Sequence, residues 1–428
     1  MRCCWLLLLL GCSQKVVDLP GDSGTAVTTP PPTAVSFEPE VLDRIRSMTM
    51  PAVPADPTNR FAEDAAAAHL GQWLFYDARL SGTGRVACAT CHVPSTGLAE
   101  DVALHDGLSR HTPSAWDTVF NRWFFWDGRA DSHWAQAAGP LEHPDEHGGS
   151  RLEYAHLVDE DPELRAAYET VFGALPDMRD RDRFPDEGRP ALPGDLHTLY
   201  WETMAPEDQD TVTATFVSLL KAIAAYERKL VTGETRVDHF VRGLASGDAD
   251  DLGALTESEQ RGLALFAGDA NCHFCHAGGL TTNREFHNVG LATTELDNGR
   301  FQGITTLRSS DFNGAGRWSD DPAFGAARID ILAQTAEQLG QFKVPSLRGI
   351  SRTAPYMRDG SRATLADVID FYDRAEEVPL VGHREELIVP LDLTDQQKAD
   401  LEAFLLALDP IDEPSPALLA PPASPIPD

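Results

Sequence analysis

The sequence predicts a mainly α-helical protein in which one structural module is used twice. Three observations carry this. No segment alternates apolar and polar residues with period two over a useful length, whereas helix-start signals and apolar stripes at helical spacing recur along the chain. The motif C-x-x-C-H occurs twice, as Cys88-Ala-Thr-Cys91-His92 and Cys272-His273-Phe274-Cys275-His276. Each copy follows a short helical stretch ending in Leu-Phe (Leu74-Phe75, Leu265-Phe266) and then a polar turn that delivers the first Cys.

The chain opens with one Arg and an apolar run from Cys3 to Leu10, too short to span a bilayer and read as a signal peptide. Leu9-Leu10-Gly11-Cys12 resembles a bacterial lipoprotein box, although Leu10 stands where a smaller residue is usual; a plain secreted protein is the alternative. Residues 1–12 are therefore expected to be a leader that leaves a lipid on Cys12, with the protein in the periplasm and anchored to the outer membrane. Residues 13–58, rich in Pro, Thr, Asp and Val, are expected to be a flexible tether. The first module is expected at 59–208, the second at 209–410, and a disordered Pro-rich tail at 411–428.

Between the modules Phe216, Leu219, Leu220, Ile223 and Leu230 recur at helical spacing. Thr256-Glu257-Ser258-Glu259 is a capping box opening the second module. Thr394 with Gln397 opens the last helix, striped by Leu401, Phe404, Leu405 and Leu408. Thr364 caps a short helix bearing Leu365, Val368, Ile369 and Tyr372 on one face. The segments at 173–208, including Asp177 to Pro190, and at 293–340 are turn-rich and are expected to be surface insertions.

Composition narrows the function. The 35 Lys plus Arg against 67 Asp plus Glu leave a formal charge of −32, which repels phosphate backbones and excludes nucleic acid as a partner. That charge suits either a basic protein partner or simply a soluble surface.

With Cys3 and Cys4 in the leader and Cys12 on the lipid, every remaining cysteine belongs to a C-x-x-C-H motif, the attachment sequence of c-type haem. Two thiols add across the two vinyl groups of one haem while the adjacent imidazole reaches the iron, so each motif fixes a cofactor and one axial ligand. A thioredoxin-like motif would occur once, in a strand-to-helix context. A Cys4 zinc site would leave both following histidines without a role, and disulfides between cysteines three apart would close strained loops. Two covalent haems are expected, on Cys88, Cys91 and His92 and on Cys272, Cys275 and His276.

The second ligand of each iron separates an electron carrier from a site that binds peroxide. Of the six methionines only Met357 lies within or after the second module, and Tyr372 competes with it. For the first iron His105 and His111 follow the motif closely enough to reach it, and either is equally placed as a surface histidine. The run Trp123-Phe124-Phe125-Trp126 is too dense for a loop in water; core packing and a Trp bridging two haems are its two readings.

The segments LFYDARLSGTG with CATCH, RHTPSAWDTVFN, FWDGRA, QAAGPLEHPDE, GLALF with CHFCH, EFHNVG, FKVPSLRGI and APYMRDGSRATL carry a resemblance to the bacterial di-haem cytochrome c peroxidases and their MauG-like relatives. It covers about residues 61 to 408 apart from the insertions. The resemblance implies that His92 and His276 are proximal ligands, that Trp126 lies between the haems, and that Gln136 and Glu146 form the peroxide pocket. Gln136 would orient peroxide and Glu146 would move a proton from its inner to its outer oxygen. Tyr372 falls where the peroxidases usually have Met and matches the MauG-like branch. His105 lies near the family's displaceable His. Calcium between the haems is implied by Thr353 and Pro355, but His111 replaces the family's Asn, and imidazole is a poor partner for a hard cation. The expected activity is reduction of hydrogen peroxide with electrons from a small cytochrome c or cupredoxin, by a chain whose family often forms homodimers. A MauG-like oxidase acting on a partner protein's side chains and a non-catalytic di-haem carrier are the rivals.

Overall fold

The computed structural model describes residues 34–191 and 194–427, which belong to one compact unit. The leader, Cys12 and the first part of the expected tether lie outside the described residues. In chain order the helices are α1 (Pro39–Arg46), α2 (Ala65–Tyr76), α3 (Cys88–Cys91), α4 (His133–Glu142), α5 (Arg151–Glu160), α6 (Pro162–Phe172), α7 (Leu196–Trp201) and α8 (Pro206–Glu227). They continue with α9 (Arg236–Ser246), α10 (Ala249–Leu252), α11 (Glu257–Ala267), α12 (Arg300–Ser309), α13 (Pro322–Ile329), α14 (Leu365–Arg374) and α15 (Asp395–Leu406). The strands named among the described residues are β1 (Phe286–His287) and β2 (Phe342–Lys343), paired antiparallel with Phe286 opposite Lys343.

The two modules repeat one packing device. In the first, α2 crosses α8 at Gly71, where any Cβ would collide with the Ala222 carbonyl. In the second, α11 crosses α15 at Gly262, where a Cβ would collide with the Asp400 carbonyl. Leu70, Leu74, Phe216 and Leu220 are buried around the first crossing, and Leu263, Phe266, Leu401 and Phe404 around the second. Each such side chain contributes about 1.5–3 kcal/mol of burial. Capping boxes open α11 at Thr256 and Glu259, α14 at Thr364 and Asp367, and α15 at Thr394 and Gln397, so these helices begin where the sequence predicts.

Four expectations are corrected. Residues 34–58 are not a tether: Phe37, Val41, Leu42, Ile45 and Met48, on and around α1, pack into the second module. The boundary at 208/209 falls too early, because the buried face of α8 belongs to the first module's core. The segments at 173–208 and 293–340 are not surface insertions. Met178, Phe184 and Trp201 lie in the first core with Phe312, while Leu307 of α12 and Ile329 of α13 pack on Trp123. Finally, the tail is not disordered. Gln72 of α2 donates to the carbonyls of Ala417 at 2.6 Å and Ala420 at 2.7 Å, the Tyr226 hydroxyl donates to that of Leu418, and Leu418 and Leu419 pack by Phe75. The prolines of the tail have no N–H to donate, and side chains of α2 and α8 take up carbonyls that its own backbone leaves free.

Candidate active site

His92 and His276 stand in matching surroundings. The Nδ1 of His92 lies 2.9 Å from the Leu98 carbonyl, and that of His276 lies 2.8 Å from the Thr281 carbonyl. Both carbonyl-bearing residues sit at positive φ, 54° and 49°. Such a conformation costs about 1–3 kcal/mol in a non-glycine residue and is held by its surroundings. Committing Nδ1–H to a carbonyl leaves Nε2 as the free lone pair, the state of a metal-binding imidazole. Burial lowers the pKa of both rings, that of His276 to about 4, so both are neutral. Phe75 lies 6.2 Å from the His92 ring and Phe266 6.4 Å from that of His276, which places the Leu-Phe signal beside each ring.

Both histidines line one cavity of about 1440 Å³, beyond the roughly 300–1,000 Å³ of a single small-molecule site. None of the four motif cysteines is in a disulfide, and burial pushes their thiols up, Cys91 and Cys275 to about 11 and Cys272 to about 12. Lys343 also lines the cavity, and burial brings its ammonium down to about 8, with no carboxylate among the described residues offsetting it. Paired thiols, a free imidazole nitrogen and an uncompensated buried cation fit a c-type haem with its propionates. The sequence reading missed Lys343; its place in FKVPSLRGI was the available signal.

Gln136 and Glu146 border the same cavity. Gln136 stands on α4, which Ser132 caps at the Ala135 amide. After α4 the chain folds back: His147 donates its amide to the Pro140 carbonyl, and the His143 carbonyl accepts the amides of Glu146 and Gly148 at 3.1 and 2.8 Å. Burial raises the Glu146 pKa above the usual carboxylate range, against the opposing charges of His143, Arg129 and His105. His105 does not border the cavity; its Nδ1 is held 3.1 Å from Glu100, which also accepts the Thr112 hydroxyl. Ligand atoms of His105, Glu100 and Cys91 of the first attachment motif all lie within 4.8 Å of one another. Glu227 and His133 line the cavity too, 4.0 Å apart, and were not singled out in the sequence. Burial raises Glu227 to about 8 and lowers His133 to about 3.

Trp126 borders the cavity, and two backbone contacts fix it: its indole donates to the His111 carbonyl at 2.8 Å, and its own carbonyl accepts the Lys343 amide at 2.7 Å. His111 is buried rather than on the surface. Its Nδ1 lies 3.1 Å from the carbonyls of both Val102 and Ala103, and its Nε2 has no hydrogen-bond partner. Thr353 and Pro355 line the cavity with it. A nitrogen lone pair where calcium needs an oxygen, beside carbonyls already accepting a ring N–H, does not fit calcium.

Tyr372 and Met357 both line the cavity. Tyr372, on α14, shares this lining with Cys272 and Cys275, and burial pushes its phenol well up. Met357 sits at φ 71° in the turn from Tyr356 to Arg362, and the carbonyl of the next residue, Arg358, accepts the His111 amide. Met357 is thus in the turn that touches His111, while Tyr372 is on the helix that Thr364 caps.

Comparison with known proteins agrees with this geometry. A family model described as di-haem cytochrome c peroxidase matches residues 65–246. The chain is 31% identical to the methylamine utilization protein MauG of Methylorubrum extorquens, over 83% of this chain and 81% of that one. It is 30% identical to the cytochrome-c peroxidase IdrP1 of Denitromonas iodatirespirans, over 84% and 85%. A solved MauG-like protein associated with microbial copper homeostasis superposes with a TM-score of 0.59 at 27% identity, covering 87% of this chain and 97% of that one. The chain belongs to the di-haem cytochrome c peroxidase and MauG family of oxidoreductases, whose members bind two c-type haems.

Proposed function

We propose that this protein reduces hydrogen peroxide to water with electrons from a small cytochrome c or cupredoxin in the periplasm. The observation that carries the reading is that Gln136 and Glu146 border the cavity that His92 also lines. One haem on Cys88, Cys91 and His92 would supply the iron that takes peroxide, and another on Cys272, Cys275 and His276 would supply the route for electrons. Glu146 as a carboxylate accepts the proton of the inner peroxide oxygen and returns it to the outer one. Gln136 holds the peroxide through its amide, and Trp126, pinned at both its indole and its carbonyl, spans the space between the modules. The charge of −32 suits a donor with a basic face. The leader and Cys12 support a lipid anchor on the outer membrane.

Steady-state turnover with peroxide and a reduced donor tests this. Glu146→Gln is expected to slow it by more than about tenfold; unchanged turnover removes Glu146 from the mechanism. Tyr372, lining the cavity with Cys272 and Cys275, favours a second reading, a MauG-like oxidase drawing electrons from a partner protein's side chain. Peroxide consumption that needs such a partner, and not a small redox donor, would select it.

A further inference from the structure

We infer that His143 is the proton entry of this site, carrying protons from solvent to Glu146. The inference rests on the peroxide-pocket reading of Glu146 and adds the path by which that carboxylate is recharged. Reduction of one peroxide to two waters consumes two protons and two electrons; the reduced donor brings the electrons, and the protons come from solvent.

His143 is built for that crossing. Its side chain is 44% exposed, that of Glu146 24%, and both line the cavity. His143 Nδ1 lies 3.7 Å from Glu146 Oε1. That is just beyond a direct hydrogen bond, and a small ring rotation or a single water closes it. The spacing is held by the backbone, because the His143 carbonyl accepts the Glu146 amide at 3.1 Å. In the neutral ring His143 Nδ1 accepts the Asp145 amide at 3.3 Å, and protonation at Nδ1 replaces that bond with a donor for Glu146. The other charged groups acting on Glu146 are less suited. Arg129 does not release a proton and lies over the Phe125 ring at 3.5 Å. His105 is bonded to Glu100, and Asp145 carries the wrong sign.

In the transfer, the N–H bond of the His143 imidazolium breaks and an O–H bond forms on Glu146. His143 then takes a proton from bulk water, and no electron moves. His143 does not touch peroxide; it acts through Glu146.

The test uses the mature di-haem protein with His143→Gln and His143→Gly. Cyanide binding at the first haem, followed by the shift of its Soret band, needs no turnover, and HCN must surrender its proton to the distal carboxylate. Loss of the neighbouring cation should move the pH midpoint of the cyanide association rate upward in both variants. Peroxide turnover near neutral pH should fall roughly tenfold, and free imidazole should restore it in His143→Gly. An unmoved cyanide midpoint, or a turnover loss that imidazole does not restore, overturns the inference. Parent protein that binds cyanide with this pH dependence but does not consume peroxide would defeat the peroxidase reading while leaving the proton path standing.

Discussion

The indole Nε1 of Trp126 donates to the carbonyl oxygen of His111 at 2.8 Å, so one residue lining the cavity is held by the backbone of another. His111 is itself anchored through Nδ1 at Val102 and Ala103 and through its amide at Arg358. These bonds hold His111 and Trp126, and a ring nitrogen does not suit a hard cation. Prolonged treatment with a calcium chelator is expected to leave the optical spectra and peroxide turnover unchanged. Stoichiometric calcium in the purified protein, lost together with activity on chelation, would contradict this.

The raised pKa of Glu146 sets a pH limit. The ionised carboxylate is the proton-accepting form, and it is lost as pH falls through a value above the ordinary 4.5. Turnover should therefore show an acid limb above pH 4.5 that disappears with the rate in Glu146→Gln. A parent rate that stays flat down to pH 4.5 would show that this carboxylate is not the acceptor.

At the second haem, Tyr372→Phe is expected to change the optical and magnetic spectrum, because Tyr372 lines the cavity with Cys272 and Cys275. Met357→Leu should leave that spectrum alone. The reverse outcome would give the ligand role to Met357.

Glu227 predicts a pH-dependent stability. Its folded pKa is raised by burial to about 8 from 4.5, so its contribution is fully present below pH 4.5 and is lost as pH rises through about 8. The neutral isostere in Glu227→Gln escapes that loss. In thermal melts of the two proteins, the variant's Tm should gain on the parent's between pH 4.5 and 8.5. A Tm difference independent of pH would mean that Glu227 is not buried as an acid.

Much of the site was legible because its chemistry is local. Cys88, Cys91 and His92, and likewise Cys272, Cys275 and His276, are fixed by spacing within five residues, and Thr256, Thr364 and Thr394 mark helix starts three residues from their partners. The resemblance then pointed to Gln136, Glu146 and Trp126, which the structure brings to one cavity. Lys343, Glu227 and His133 were not singled out, since what sets them apart is burial, and burial is produced by elements far away in the chain.

The sequence by itself determined the helical class, the doubled module and the two C-x-x-C-H motifs, because each follows from relations between near neighbours. Only the tertiary structure decided that α8 completes the first module, that α1 seals the second, and that the tail docks on α2 and α8. It alone also assigned His105 to Glu100 and His111 to the support of Trp126. These depend on which apolar face finds a partner and which buried polar atom finds a donor, and such pairings join residues that the chain itself keeps far apart or gives several equivalent choices.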